Sequence, residues 1–238
     1  MSVAEKIAIV EENVPKVYQA GYNKAVVDVS SGSKLAALIS RTVTEINEAD
    51  FGDVTKIGEN AFNACKKLTS VIIPQRITVI ERNAFYHCDT LASVNIPDRV
   101  TEIGESAFVY CKKLTSVIIP DSVTSLGNNA FSNCENLTSV TIGSGVTKLW
   151  NYLFSSCTKL KNVTIGSGVT DLAYGTFSNC LAMEIYDFTA CTAVPTLRSI
   201  DVFSKIPTTC QIKVPASLYD EWIAATNWST YADYIVAV

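Results

Sequence analysis

The chain has 238 residues, 48% of them hydrophobic and 18% charged, with a formal charge of −4 from 19 basic and 23 acidic side chains. That much apolar surface excludes a disordered chain, and the lack of a basic surplus argues against nucleic acid as a partner. No apolar run approaches the roughly 20 residues that a membrane-spanning helix needs, and a single histidine leaves little room for His-dependent catalysis.

At the N-terminus Ile7, Val10, Val14 and Val17 recur at 3-4-3 spacing. This predicts an amphipathic helix, kinked or restarted at Pro15. Glu5, Glu11 and Glu12 interrupt the apolar core that a secretory signal requires. The stripe either packs against the rest of the chain or offers a seam for a homo-oligomer. Residues 1–42 are read as this leader and the start of a degenerate first coil, and 54–58 already falls in register with the 23-residue units that make up the middle of the chain.

Cys65, Cys88, Cys111, Cys134, Cys157 and Cys180 stand 23 residues apart. Three residues before each is Phe62, Phe85, Phe108, Phe131, Phe154 or Phe177. Three residues after each is Leu68, Leu91, Leu114, Leu137, Leu160 or, in the last copy, Met183. The first part of each unit places Ala84, Phe85, Cys88 and Leu91 at spacings of three, four and seven, one face of a short helical turn. The second part reads L-x-x-V-x-I, a strand whose Val and Ile point inward. Pro74, Pro97, Pro120, Gly143 or Gly166 ends it, and an apolar pair such as Val100 and Ile103 leads into the next unit. A single unit cannot bury its apolar side. Stacking the units gives a continuous core, at ~4.8 Å per coil, with two ends that need covering.

The expected architecture is therefore an α/β repeat solenoid of 23-residue coils. It has a parallel β ladder on one face, short helical turns on the other, and a cap at each end. The solenoid is placed at 43–183 and a C-terminal cap at 184–238. In the cap, 185–188 and 212–214 read as strands, and 216–228, with Leu218, Trp222 and Ile223, as a helix serving as a lid.

The cysteines form no C-x-x-C pair, so no metal site is expected. The six repeat thiols read as small buried hydrophobes, while Cys191 and Cys210 lie outside the register and could pair in the cap. His87 occupies a position that holds Ala64, Tyr110, Asn133, Ser156 and Asn179 in other copies, which marks a variable surface site. The GSGVT segments at 143–147 and 166–170 align with PQRIT, PDRVT and PDSVT and read as turns, not phosphate loops. Glu11-Glu12 and Asp220-Glu221 read as solvated charges. No cofactor is expected, and no cluster suited to catalysis is evident.

The L-x-x-V-x-I strand, the A-F-x-x-C turn and the I-P-x-x-V-x-x-I segment resemble the BspA-type leucine-rich repeats over residues 54–183. The tail QIKVPASLYDEWIAATNWSTYADYI is also similar to that family's usual ending. The resemblance implies a leucine-rich repeat protein of the kind found at the surfaces of oral and gut bacteria. It also implies adhesion to a host or cell-surface protein or glycan rather than catalysis. Many such proteins are secreted, whereas no signal peptide is visible here, so a cytoplasmic or virion-associated place stays open. A structural scaffold or phage-associated fibre element, assembled through the leader helix, is the alternative role.

Two surfaces are candidates for recognition. The outward strand positions are Ser70, Ile72, Ser93, Asn95, Ser116, Ile118, Ser139, Thr141, Asn162 and Thr164, a sheet low in charge. Its isoleucines are the sharper clue, because exposed apolar side chains on a strand cost solubility unless covered. Near the turns, Tyr86, Tyr110, Trp150 and Tyr152 form a rival aromatic surface.

Overall fold

The computed structural model describes residues 44–46, 48–51 and 54–238. The predicted leader helix with Ile7, Val10, Val14, Pro15 and Val17, the oligomer seam on it and any N-terminal cap lie outside these residues. The described chain winds into a parallel β-solenoid of about eight coils, each too thin to bury its own apolar side.

Two ladders run along the solenoid. The longer strands are Glu45–Ile46, Ser70–Ile72, Ser93–Asn95, Ser116–Ile119, Ser139–Ile142, Asn162–Thr164, Ile185–Asp187, Gln211–Val214 and Ile235–Ala237. Pairing is parallel and in repeat register: Ser70 with Ser93, and Ser116 with Ser139, then Asn162, Ile185 and Gln211. The hydrogen-bonded ladder is interrupted between Ser93–Asn95 and Ser116–Ile119. A second ladder of two-residue strands, from Lys56–Ile57 to Thr196–Leu197, runs beside the first. Its coils are joined by a threonine column, in which the Thr78 hydroxyl donates to the Thr55 carbonyl, Thr101 to Thr78, Thr124 to Thr101 and Thr170 to Thr147.

The A-F-x-x-C segment turns without becoming a helix. Asn60 and Ala64 bracket it with φ of 58° and 57°, and Asn83 and His87 repeat this one coil later at 54° and 57°. A left-handed residue at each end cannot continue a right-handed helix. The backbone donors then divide by alternation. Asn60, Phe62 and Ala64 donate to Arg82, Ala84 and Tyr86 of the next coil, while Ala61, Asn63 and Cys65 close local turns on Gly58, Asn60 and Phe62. The inward spacing resembles that of a helix because every such turn aims Ala, Phe and Cys at the same core.

Inside, Phe62, Phe85, Phe108, Phe131, Phe154, Phe177 and Phe203 stack near-parallel with centroids 5.0–5.8 Å apart. Such pairs contribute about 0.5–1.5 kcal/mol each beyond the area they bury. Tyr186 takes the slot of Val117, Val140 and Val163 and lies against Phe177 and Phe203 at 4.9 and 4.7 Å. All eight cysteines are free and buried, Cys191 and Cys210 among them.

At the C-terminal end the only α-helix among the described residues is Tyr219–Ala224, between 3-10 turns at Ala216–Leu218 and Trp228–Tyr234. It is shorter than the segment 216–228 suggests, because Ala225 is extended, with ψ 147°, and Asn227 then adopts φ 68° and turns the chain back. Its inward residue does what a lid requires. Trp222 and Trp228 are wholly buried and meet Phe188 edge-on at 5.6 and 5.5 Å. The indole N–H of Trp228 donates to the Pro195 carbonyl at 2.6 Å, which meets the hydrogen-bonding need of a buried tryptophan. No helix among the described residues is long and apolar enough to cross a membrane.

Candidate functional site

The longer ladder presents its outward positions as straight columns, because parallel register places equivalent residues side by side. Ser93, Asn95, Ser116, Ile118, Ser139, Thr141, Asn162 and Thr164 are all exposed, and so is Ile72; Ser70 is half-buried. Ile72 and Ile118 are 54% and 67% exposed, far more than an isoleucine needs for folding. Thr141 stands beside Ile118, Thr164 beside Thr141, and Asp187 and Lys213 continue that column. The face is therefore neutral and hydroxyl-rich through the middle coils and charged at its two ends, where Glu45 stands beside Ser70 in the first coil and Lys161 pairs with Glu184 at 2.7 Å towards the cap. Ile185, Asp187, Gln211 and Lys213 belong to these columns as well. Their strands were readable, but the repeat motif fades before them.

Asn95 differs from its neighbours. Its side-chain oxygen accepts the N–H of Ile73 at 3.3 Å, so this amide is partly committed to the sheet. It sits on the strand where the ladder is interrupted.

The four turn aromatics fall into two groups. Tyr86 and Tyr110 meet edge-to-face at 6.0 Å, with His87 stacked on Tyr110 at 4.2 Å and its Nδ1 3.0 Å from Asp89. Lys112 lies 5.8 Å from the Tyr110 ring and pairs with Glu135, whose carboxylate raises the lysine pKa. Trp150 and Tyr152 lie two coils further on. Lys148 sits 3.9 Å over the Trp150 ring, and Tyr152 meets Tyr174 edge-to-face at 5.3 Å. Tyr174 and the neighbouring Ile200 escape a reading of the repeat motif because both lie at variable turn positions.

The thiols are not a reactive site. Burial pushes Cys88, Cys134 and Cys180 well above the ordinary thiol range, and raises Cys191 to about 11 and Cys210 to about 12. A protonated, enclosed thiol is a poor nucleophile. Among the described residues no group of three or more His, Cys, Asp or Glu side chains could hold a metal ion.

The model of the BspA type leucine rich repeat region matches residues 55–184 in six copies. A leucine-rich repeat protein of T. pallidum is 28% identical in sequence, with a TM-score of 0.51 over 59% of this chain and 72% of that one. The pneumococcal vaccine antigen PcpA shares the fold at 17% identity, with a TM-score of 0.54 over 82% of this chain and 41% of its own length. No curated protein matches.

Proposed function

Because the chain belongs to the BspA-type leucine-rich repeat family, we propose that it is a non-catalytic recognition module of a bacterial cell surface that binds a host or cell-surface protein through the longer ladder. The exposure of Ile72 and Ile118 on that face carries the reading. Two isoleucines held in water in one column with Asn95, Thr141 and Thr164, beside a column of serines, suit a partner that covers them. Serine, threonine and isoleucine have few rotamers to lose, so binding here costs little side-chain entropy. The family's usual role supports a binding protein over an enzyme.

The test is binding of the full chain and of the Ile72→Glu/Ile118→Glu variant to immobilised matrix proteins and mucins. Asn95 is left unchanged because its side chain holds the Ile73 N–H. The expected outcome is saturable binding by the parent chain and at least tenfold weaker binding by the variant, with the same thermal midpoint. Equal binding by both, or none by the parent, would sink this reading.

A further inference from the structure

The turn edge carries a cluster for which the repeat itself supplies the control. Trp150 replaces Gly58, Glu81, Gly104, Gly127 and Ala173 of the other coils; Tyr152 replaces Asn60, Asn83, Ser106, Asn129 and Gly175. Tyr174 stands where Asn128 and Asn151 stand in the two coils before it. The fold is thus built five times over with small or polar groups at the tryptophan position and at the Tyr152 position, so it does not need these rings. They nevertheless fall on two successive coils of one edge, Tyr152 against Tyr174 at 5.3 Å and Trp150 two residues before Tyr152, and are 37%, 39% and 44% exposed for Trp150, Tyr152 and Tyr174.

Tyr152 also bears a conformational cost. It adopts φ 55°, where its counterparts are mostly Asn or Gly, and a bulky side chain in the left-handed region is disfavoured. The backbone here is the repeat's own, since the equivalent residue of each coil from Asn60 to Gly175 has positive φ, so the cost comes from the tyrosine side chain alone. The polar groups around the rings balance one another: Arg198 bonds Asp171, Lys148 lies on Trp150, and the Asp201 carboxylate beside Tyr174 raises that phenol's pKa. Two cations and two carboxylates leave the rim without net charge.

From this juxtaposition we propose that Trp150, Tyr152 and Tyr174 form a second binding site, separate from the ladder, for a neutral oligosaccharide. Sugar rings offer apolar C–H faces that lie on aromatic rings and hydroxyls that meet carboxylate, guanidinium and phenol groups. The surface is open and spans successive coils, so an extended chain of sugars suits it better than a small enclosed ligand. A rim of balanced charges selects against sulfated or sialylated chains.

The rings also provide the readout. Trp222 and Trp228 are wholly buried in the cap, so a ligand-induced change in tryptophan emission reports on Trp150. The full chain is titrated with cellohexaose, maltohexaose, chitohexaose and a sialylated lactosamine. The Tyr152→Asn/Tyr174→Asn variant, which restores residues the repeat already uses, is titrated alongside. The expected result is saturable binding of at least one neutral hexaose, weakened tenfold or more in the variant, and unchanged in Ile72→Glu/Ile118→Glu. No saturable binding of a neutral hexaose, binding only of the sialylated chain, equal binding by the tyrosine variant, or loss in the isoleucine variant would each overturn the proposal. None of these outcomes depends on whether the ladder binds protein.

Discussion

The Cys134 thiol donates to the carbonyl of Phe108, 3.3 Å away in the preceding coil. The same bond recurs from Cys88 to Phe62, Cys111 to Phe85, Cys157 to Phe131 and Cys180 to Phe154, at 3.1–3.4 Å. Cysteine therefore serves this repeat both as a small apolar filler and as a donor that ties each coil to the last. Replacing Cys134 by Ala removes both contributions, although the Phe108 carbonyl keeps the N–H of Cys111. The expected loss is about 1–2 kcal/mol, from a small cavity and one weak hydrogen bond. Urea unfolding of Cys134→Ala against the parent chain measures it.

The buried thiols also set an alkaline limit. An unfolded thiol titrates near 8.5, whereas Cys191 and Cys210 titrate at about 11 and about 12 in the folded chain. Their folded values are raised by burial, so the protonated form favours folding. That contribution is complete below the unfolded value and is lost as pH rises through the folded ones. Each such thiol costs up to about 1.4 kcal/mol per pH unit within that window. With reductant present, the urea midpoint should hold steady up to about pH 8 and fall steadily by pH 10.5. A midpoint level across this range would show that the thiols reach water.

Ala64 sits in the left-handed region at φ 57°, a position where Asn133 and Asn179 stand in later coils. Alanine is unfavourable there by roughly 1 kcal/mol, while asparagine tolerates it. The side chain is only half-buried, so a larger group has room to turn outward. Ala64→Asn should raise stability by about 0.5–1 kcal/mol, read as a higher thermal midpoint.

This same column explains what the sequence conceals. The inward set of Phe, Cys and Leu is visible as a 23-residue period, and so is the outward set from Ser70 to Thr164, because a strand alternates its faces whatever its partner is. The turn is harder. Ala61, Phe62, Cys65 and Leu68 have helical spacing, yet the spacing of inward groups does not reveal where their backbone donors go. The asparagines at 60, 83, 129, 133 and 179 carry that information, since asparagine accepts positive φ. The pairing of Tyr152 with Tyr174 and the turning of Asn95 onto the Ile73 N–H depend on contacts between coils at positions that do not repeat. No period marks them.

The glycine turns show how closely neighbouring coils approach. At Gly145 an added Cβ would lie 2.0 Å from the carbonyl oxygen of Asp121, and at Gly168 it would lie 1.9 Å from that of Ser144. These obstacles are backbone atoms of the coil beneath, so no side chain can swing aside. The contact is fixed from the other side as well, because the Asp121 carboxylate accepts the Ser144 N–H at 2.7 Å and its hydroxyl at 3.0 Å. Those bonds hold the aspartate pKa below its ordinary value. Gly145→Ala must therefore shift the turn backbone at the point where the two coils are tied, towards the form that carries Arg76, Arg99 and Ser122 at the same position of earlier coils. The expected cost is about 1–3 kcal/mol, and Gly168→Ala should cost as much. For a domain of this size each kcal/mol lowers the thermal midpoint by roughly 2–4 °C. Calorimetry of the two single variants checks this, with Ser144→Ala as a partner that loosens the tie without adding bulk and should fall less.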